Sequence, residues 1–195
     1  SVLLHDATLD RTTNGAGRLD ALTLGQIAQL DAGSWHSPAY AGEPVPTLAA
    51  IARYLRANGF LANIEIKPVP GVEWRTGAAV ALDARTLWAG AEVPPLLSSF
   101  SEDALAAARE AVPELPRALL LDKLPADWLD RLRALDCVAL DANHRELTPE
   151  IIDQAHAAGF RVCCYTVNDL DRAHLLWSAG LDSLITDWVD RISPA

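Results

Sequence analysis

Arg56–Ile66 reads RANGFLANIEI, Ala157–Thr166 reads AAGFRVCCYT, and Ser178–Thr186 reads SAGLDSLIT. All three share one plan: a helix end, a glycine, an apolar residue, then a short apolar run. Glycine suits the left-handed position just past a helix, and a short apolar run suits a strand buried on both faces. Each stretch therefore reads as a joint from helix into strand. The helices leading into the joints carry their own signals. Thr148 caps one helix with Pro149 at its first position, and Gly159 ends it. Asp169 caps the next, which Gly180 ends. Leu105, Ala108 and Val112 recur at helical spacing within Glu102–Val112, and Ala/Leu-rich helices are expected around Thr47–Ala57 and Val80–Trp88. Leu96–Ser99, Arg117–Leu121 and Val138–Asp141 lie between helices as strands, and Val2–Leu4 is a further candidate.

Strands and helices alternate almost to the end of the chain, which predicts a parallel sheet covered by helices. No glycine-rich phosphate fingerprint follows a strand, which disfavours a dinucleotide-binding fold. The expected fold is α/β, a TIM-type (β/α)8 barrel in a single domain over residues 1–195. With about seven strand candidates against the eight of a closed barrel, the N-terminal strand or strands are expected to be missing. The chain has no methionine, and the same expectation of a processed or truncated N-terminus follows. Val69–Thr76 and Leu30–Pro46 are the longest irregular stretches, either functional loops or plain surface.

The 195 residues carry a net charge of −10, which disfavours nucleic acid and anionic membrane surfaces as partners. A small phosphate substrate stays open, because a metal or lysine reverses the sign inside a pocket. No apolar run approaches the ~20 residues of a membrane span, and no signal peptide is visible. Cys137, Cys163 and Cys164 show neither a disulfide framework nor metal-ligand spacing. They read as small buried hydrophobes of a reducing, cytoplasmic compartment.

Barrel enzymes carry their chemistry at the C-terminal ends of strands. Those ends here read His5-Asp6, Glu65 and Lys67, Ser98-Ser99, Asp141, Thr166 and Asn168, and Asp187. Along Asn63-Ile64-Glu65-Ile66-Lys67 side chains alternate, so Asn63, Glu65 and Lys67 share one face, and Ile64 and Ile66 point toward the helices. A carboxylate and an ammonium are then expected inside the barrel. Buried there, Glu65 would either bind a metal or form an internal ion pair with Lys67. His5 either exchanges a proton or is structural, with Asp6 orienting its ring or capping the turn. His144 follows a strand and could reach the pocket; His156 and His174 sit in helices as surface or packing residues.

His5-Asp6-Ala7-Thr8-Leu9-Asp10-Arg11-Thr12-Thr13-Asn14-Gly15 resembles the second signature of the glycerophosphodiester phosphodiesterase family, and Asn63-Ile64-Glu65-Ile66-Lys67-Pro68 resembles its third. Leu97-Ser98-Ser99-Phe100, Tyr165-Thr166-Val167-Asn168 and Gly180 through Asp187 are similar to later family stretches, in order. The tyrosine at 165, Asp31-Ala32-Gly33-Ser34-Trp35 and Leu115-Pro116-Arg117 resemble the cytosolic bacterial branch. The resemblance implies hydrolysis of a glycerophosphodiester, such as glycerophosphocholine or glycerophosphoethanolamine, to glycerol 3-phosphate and an alcohol. It implies a divalent cofactor, Mg²⁺ or Ca²⁺, held by three carboxylates, with two histidines as base and acid. Carried over residue by residue, it makes His5 the general acid, Glu65 a metal ligand, and Lys67 and Tyr165 substrate-binding residues. The family's opening His-Arg-Gly motif and its Glu-x-Asp pair are absent, so residues 1–195 alone are expected to be nearly inactive. A non-catalytic barrel that binds a phosphate ligand or a partner protein is the alternative.

Overall fold

The computed structural model describes residues 1–192. Six strands form one sheet: β1 (Asn63–Glu65), β2 (Leu96–Ser99), β3 (Arg117–Leu121), β4 (Ala139–Asn143), β5 (Arg161–Tyr165) and β6 (Ser183–Leu184). Each lies parallel to the next in chain order. Parallel neighbours need a crossover, and a helix supplies each one: α3 (Glu73–Leu87), α4 (Glu102–Ala111), α5 (Trp128–Ala134), α6 (Pro149–Ala157) and α7 (Leu170–Ser178). Before β1 come a one-turn α1 (Leu24–Ile27) and α2 (Leu48–Ala57). The architecture is the expected α/β barrel type, present as an arc of six consecutive strands. Among the described residues, β1 and β6 do not pair with each other.

The three sequence joints behave as read. Gly59, Gly159 and Gly180 take φ of 71°, 88° and 94°, values at which a Cβ is disfavoured. Thr148 accepts a hydrogen bond from the Ile151 N–H, and Asp169 from the Arg172 N–H. Alternation along the strands then sorts the side chains into two faces. Leu97, Leu119, Leu140, Val162 and Cys164 point outward and are buried against helical residues such as Leu105, Leu132, Ile152 and Leu176. The inward face is lined by small residues, with Ala118, Ala139 and Cys163 in one cluster. All three cysteines are unpaired and buried.

Two expectations are corrected. Val2–Leu4 is not a strand of the sheet: Val2 makes a single antiparallel bridge to Thr47. Half-buried Val2 and Leu4 alternate with exposed Leu3 and His5. That is the pattern of an extended edge segment, not of a strand covered on both faces. Val69–Thr76 is irregular only at its start, because α3 begins at Glu73. Gly71, at φ 93°, ends the loop, and its N–H donates to the Glu73 carboxylate at the positive end of the helix.

Leu30–Pro46 is irregular as expected, apart from a 3-10 turn at Pro38–Tyr40. Asp31 knits it together, accepting from the Ser34 hydroxyl and from the N–H groups of Ser34, Gly33 and Gly42. Those donors, the Ser34 hydroxyl foremost, hold the Asp31 carboxyl far below the usual carboxylate range.

Candidate functional site

The β1 alternation puts Asn63 and Glu65 on one face, with Lys67 two residues on. The opposite face is anchored by Ile66, 1% exposed among Val80, Leu97 and Ala104. A cavity of about 680 Å³ runs along β1. His5, Asn63, Glu65 and Lys67 give it a polar side, and Leu48, Ile51, Leu55 and Trp88 an apolar one.

His5 reaches this cavity because backbone bonds tie its segment to the entry of α2: Leu3 N–H donates to Pro46 O, and Leu48 N–H to Ser1 O. The Lys67 Nζ then lies 2.9 Å from His5 Nε2, joining residues 62 apart in sequence. His5 Nδ1 is 2.8 Å from Asp6 Oδ1. Arg11 grips the same carboxylate through two nitrogens, Nε to Oδ2 at 2.6 Å and Nη2 to Oδ1 at 3.0 Å. Arg11 first, and His5 after it, hold the Asp6 carboxyl far below its ordinary value.

Glu65 differs from expectation in burial. It is exposed on the cavity side rather than enclosed, because β1 is the outermost strand of the arc and no described strand covers it. The internal Glu65–Lys67 ion pair does not form among the described residues: Lys67 turns to His5, and the Glu65 carboxylate is left facing the cavity. An oxygen-only donor of this kind suits Mg²⁺ or Ca²⁺. One carboxylate is not a metal site, however, and no cluster of three or more metal-capable side chains exists among the described residues.

The enclosed carboxylate is Asp141, inward-facing on β4 and 0% exposed. Burial, and then the charge of Glu65, push its pKa up to about 7. Neither of its oxygens has a hydrogen-bond partner, and the same holds for Ser98 Oγ and the Tyr165 hydroxyl. Tyr165, on the inward face at the end of β5, is half-buried and meets the Phe100 ring edge-on at 5.7 Å. Burial, with Asp122, Asp141 and Glu65 nearby, raises the Tyr165 phenol above its ordinary value.

So the structure brings His5, Lys67 and Glu65 to one cavity and places Tyr165 on the same inner face as Glu65. Asp141 stood out in sequence only as one polar strand end among several. The available signal was its inward phase on an otherwise apolar strand. The Arg11 clamp on Asp6 carried no signal, since a five-residue spacing matches neither helix nor strand periodicity. His144 sits just past β4 with its Nδ1 buried and unpartnered, and burial lowers its pKa. His156 pairs with Asp182 at 2.8 Å at the opposite ends of the strands.

A histidine braced by a carboxylate can exchange a proton, a lysine can meet a phosphate oxygen, and a free carboxylate can meet a cation. Comparisons with known proteins give the family. The model of the Glycerophosphoryl diester phosphodiesterase family matches residues 1–191. A glycerophosphodiester phosphodiesterase of Caldanaerobacter subterraneus subsp. tengcongensis is 31% identical over 191 residues, covering 95% of this chain and 76% of the relative. One from Bacillus subtilis is 30% identical over 205 residues, covering 97% and 69%. Among solved structures, an Oleispira antarctica phosphodiesterase in complex with the product sn-glycerol-3-phosphate superposes with a TM-score of 0.91 at 35% identity, over 96% of this chain and 75% of that one. An Agrobacterium tumefaciens glycerophosphodiester phosphodiesterase gives a TM-score of 0.79 at 28% identity, over 95% and 77%. The chain belongs to the glycerophosphoryl diester phosphodiesterase family.

Proposed function

We propose that the protein hydrolyses glycerophosphodiesters, such as glycerophosphocholine or glycerophosphoethanolamine, to glycerol 3-phosphate and an alcohol. The observation that carries the reading is the Lys67–His5 contact at 2.9 Å beside the free carboxylate of Glu65. In this proposal Lys67 binds a phosphate oxygen. His5 Nε2, protonated from solvent, gives that proton to the departing alcohol oxygen as an attacking hydroxyl oxygen bonds to phosphorus and the phosphorus–oxygen bond to the alcohol breaks, which keeps an alkoxide from building up. Tyr165 and Phe100 form an aromatic wall for the substrate. In the ligand-free arrangement Lys67 Nζ lies against the His5 ring, 2.9 Å from Nε2 and 3.5 Å from Nδ1, so a phosphate that draws Lys67 onto its own oxygens also frees Nε2.

Metal dependence is part of the proposal. Glu65 would be one ligand of a divalent ion, Mg²⁺ or Ca²⁺, whose charge would stabilise the phosphate. The described residues do not complete such a site, and no step here is routed through it. The alternative, a barrel that binds a phosphate ligand without turnover, is separated from this reading by the assay below. Residues 1–195 are taken as one barrel domain, of which 193–195 lie outside the described residues. No helix among the described residues is long and apolar enough to cross a membrane. We also assign the protein to the cytoplasm, on the support of three unpaired cysteines.

The test is release of glycerol 3-phosphate from glycerophosphocholine by the protein as its gene encodes it, after chelation and again with Mg²⁺ or Ca²⁺ restored. Activity that returns with the metal supports the reading. Glycerol 3-phosphate binding without turnover under all conditions would leave the binding barrel.

A further inference from the structure

We propose that Asp6, locked by Arg11, is the positioning residue for His5: it fixes the ring and its tautomer so that Nε2 is the nitrogen presented to the substrate. This role rests on the reading of His5 as the proton donor. A free imidazole turns about its side-chain bonds and exchanges the proton between its two nitrogens, and the nitrogen that is not bonded is the one left to react. His5 is 65% exposed at its side chain, so packing does not hold the ring, and the hydrogen bonds must.

Two groups face it. Asp6 Oδ1, 2.8 Å from Nδ1, can only accept while ionised, so Nδ1 carries the proton. Lys67 Nζ lies against the ring, 2.9 Å from Nε2 and 3.5 Å from Nδ1, and keeps the ring on the cavity side. The Asp6 contact therefore selects the tautomer and the ring orientation and leaves Nε2 free of a carboxylate partner. Arg11 makes the arrangement rigid. Its two-nitrogen grip fixes the plane of the Asp6 carboxylate and keeps it ionised. A lone carboxylate beside an exposed histidine would rotate; this one is held at both oxygens, with Oδ1 shared between Arg11 Nη2 and His5 Nδ1. With Lys67 drawn onto the phosphate, Nε2 takes a second proton from solvent, the Asp6 charge stabilises the resulting imidazolium, and that same proton passes to the leaving oxygen, returning the ring to its neutral form. The proton on Nδ1 stays on His5 throughout.

The role is tested by Asp6→Asn, Asp6→Glu and Arg11→Met, read by the tautomer of His5 from two-bond proton–nitrogen correlations and by turnover. The wild-type ring is expected to carry its proton on Nδ1. Asp6→Asn, whose amide can donate to Nδ1, is expected to move it to Nε2. With that change kcat is expected to fall by about 10²-fold, the lower end of what a positioned acid supplies, while KM stays within about twofold. Asp6→Glu is expected to restore the Nδ1 proton and part of the rate, and Arg11→Met to give an intermediate loss. A tautomer that changes while kcat holds, or a kcat that falls while the tautomer holds, would overturn the role. Normal turnover in His5→Ala would overturn the donor reading itself and this role with it, which separates the two failures.

Discussion

Replacing Asp141 by asparagine should stabilise the fold by an amount that grows with pH. The side chain is 0% exposed and neither of its oxygens has a partner. Its ionised form is therefore disfavoured in the folded state, where its pKa rises from the ordinary 3.8 to about 7. In the unfolded chain the group ionises from about pH 4 upward. In the folded chain it keeps its proton to about pH 7. Stability is thus fully present at low pH, declines as pH rises between those two values, and is flat above the higher one. Roughly three pH units at about 1.4 kcal/mol each put the loss near 4 kcal/mol by pH 8. The asparagine side chain has nothing to ionise. Other titrating groups act on both proteins, so the difference between variant and wild type isolates this one. Urea unfolding followed by tryptophan fluorescence, in chelator at several values from about pH 4 to pH 8, gives that difference directly. A stability gap between Asp141→Asn and wild type that stays constant across the range would refute the reasoning. Because Glu65 contributes to the effect, Glu65→Gln should narrow the gap without closing it.

Glu65→Gln should also weaken binding of Mg²⁺ or Ca²⁺ and lower turnover by at least about 10²-fold if Glu65 is a ligand; titration calorimetry and the glycerol 3-phosphate assay read the two effects. Gly77→Ala should destabilise the α3–α4 contact by roughly 1–3 kcal/mol, because a Cβ there would run into the Ala104 carbonyl of the facing helix. A denaturation midpoint equal to wild type would count against that packing. Arg117→Met should cost about 3 kcal/mol. The buried guanidinium donates to the carbonyls of Pro113, Leu115, Leu135 and Asp136, and methionine leaves these without a donor; the midpoint of thermal unfolding measures the loss.

The helix-to-strand joints were readable because glycine at a left-handed position and a short apolar run are local signals, and Gly59, Gly159 and Gly180 obey them. The two faces of β1 were readable for the same reason, since alternation needs no tertiary information. Burial was not. Glu65 was expected inside and is exposed, because burial depends on which strand is outermost. Asp141 shows the opposite case: its inward phase was legible in the strand, but its complete enclosure depends on neighbours from β3 and β5. Val2–Leu4 has the composition of a strand but meets only Thr47 as a bridge partner. The link from His5 to Lys67 spans 62 residues; their shared place at strand ends and the resemblance to family signatures pointed toward it, and no local pattern did.

The order β1-β2-β3-β4-β5-β6, in which every strand adds beside the one made just before it, also sets how the molecule can be assembled in time. Each new strand finds its partner one helix back, so sheet growth closes only short loops, which is the inexpensive kind of contact to form. The largest buried cluster, however, lies over β3 to β6 and α5 to α7, in the half synthesised last. The His5 segment is synthesised among the first residues of this chain, yet its anchors at Pro46 and Leu48 and its partner on Lys67 come later. Hydrogen exchange during refolding should therefore protect β4 and β5 first and the Ser1–Leu48 bonds last. The chemistry would switch on only after the scaffold is complete.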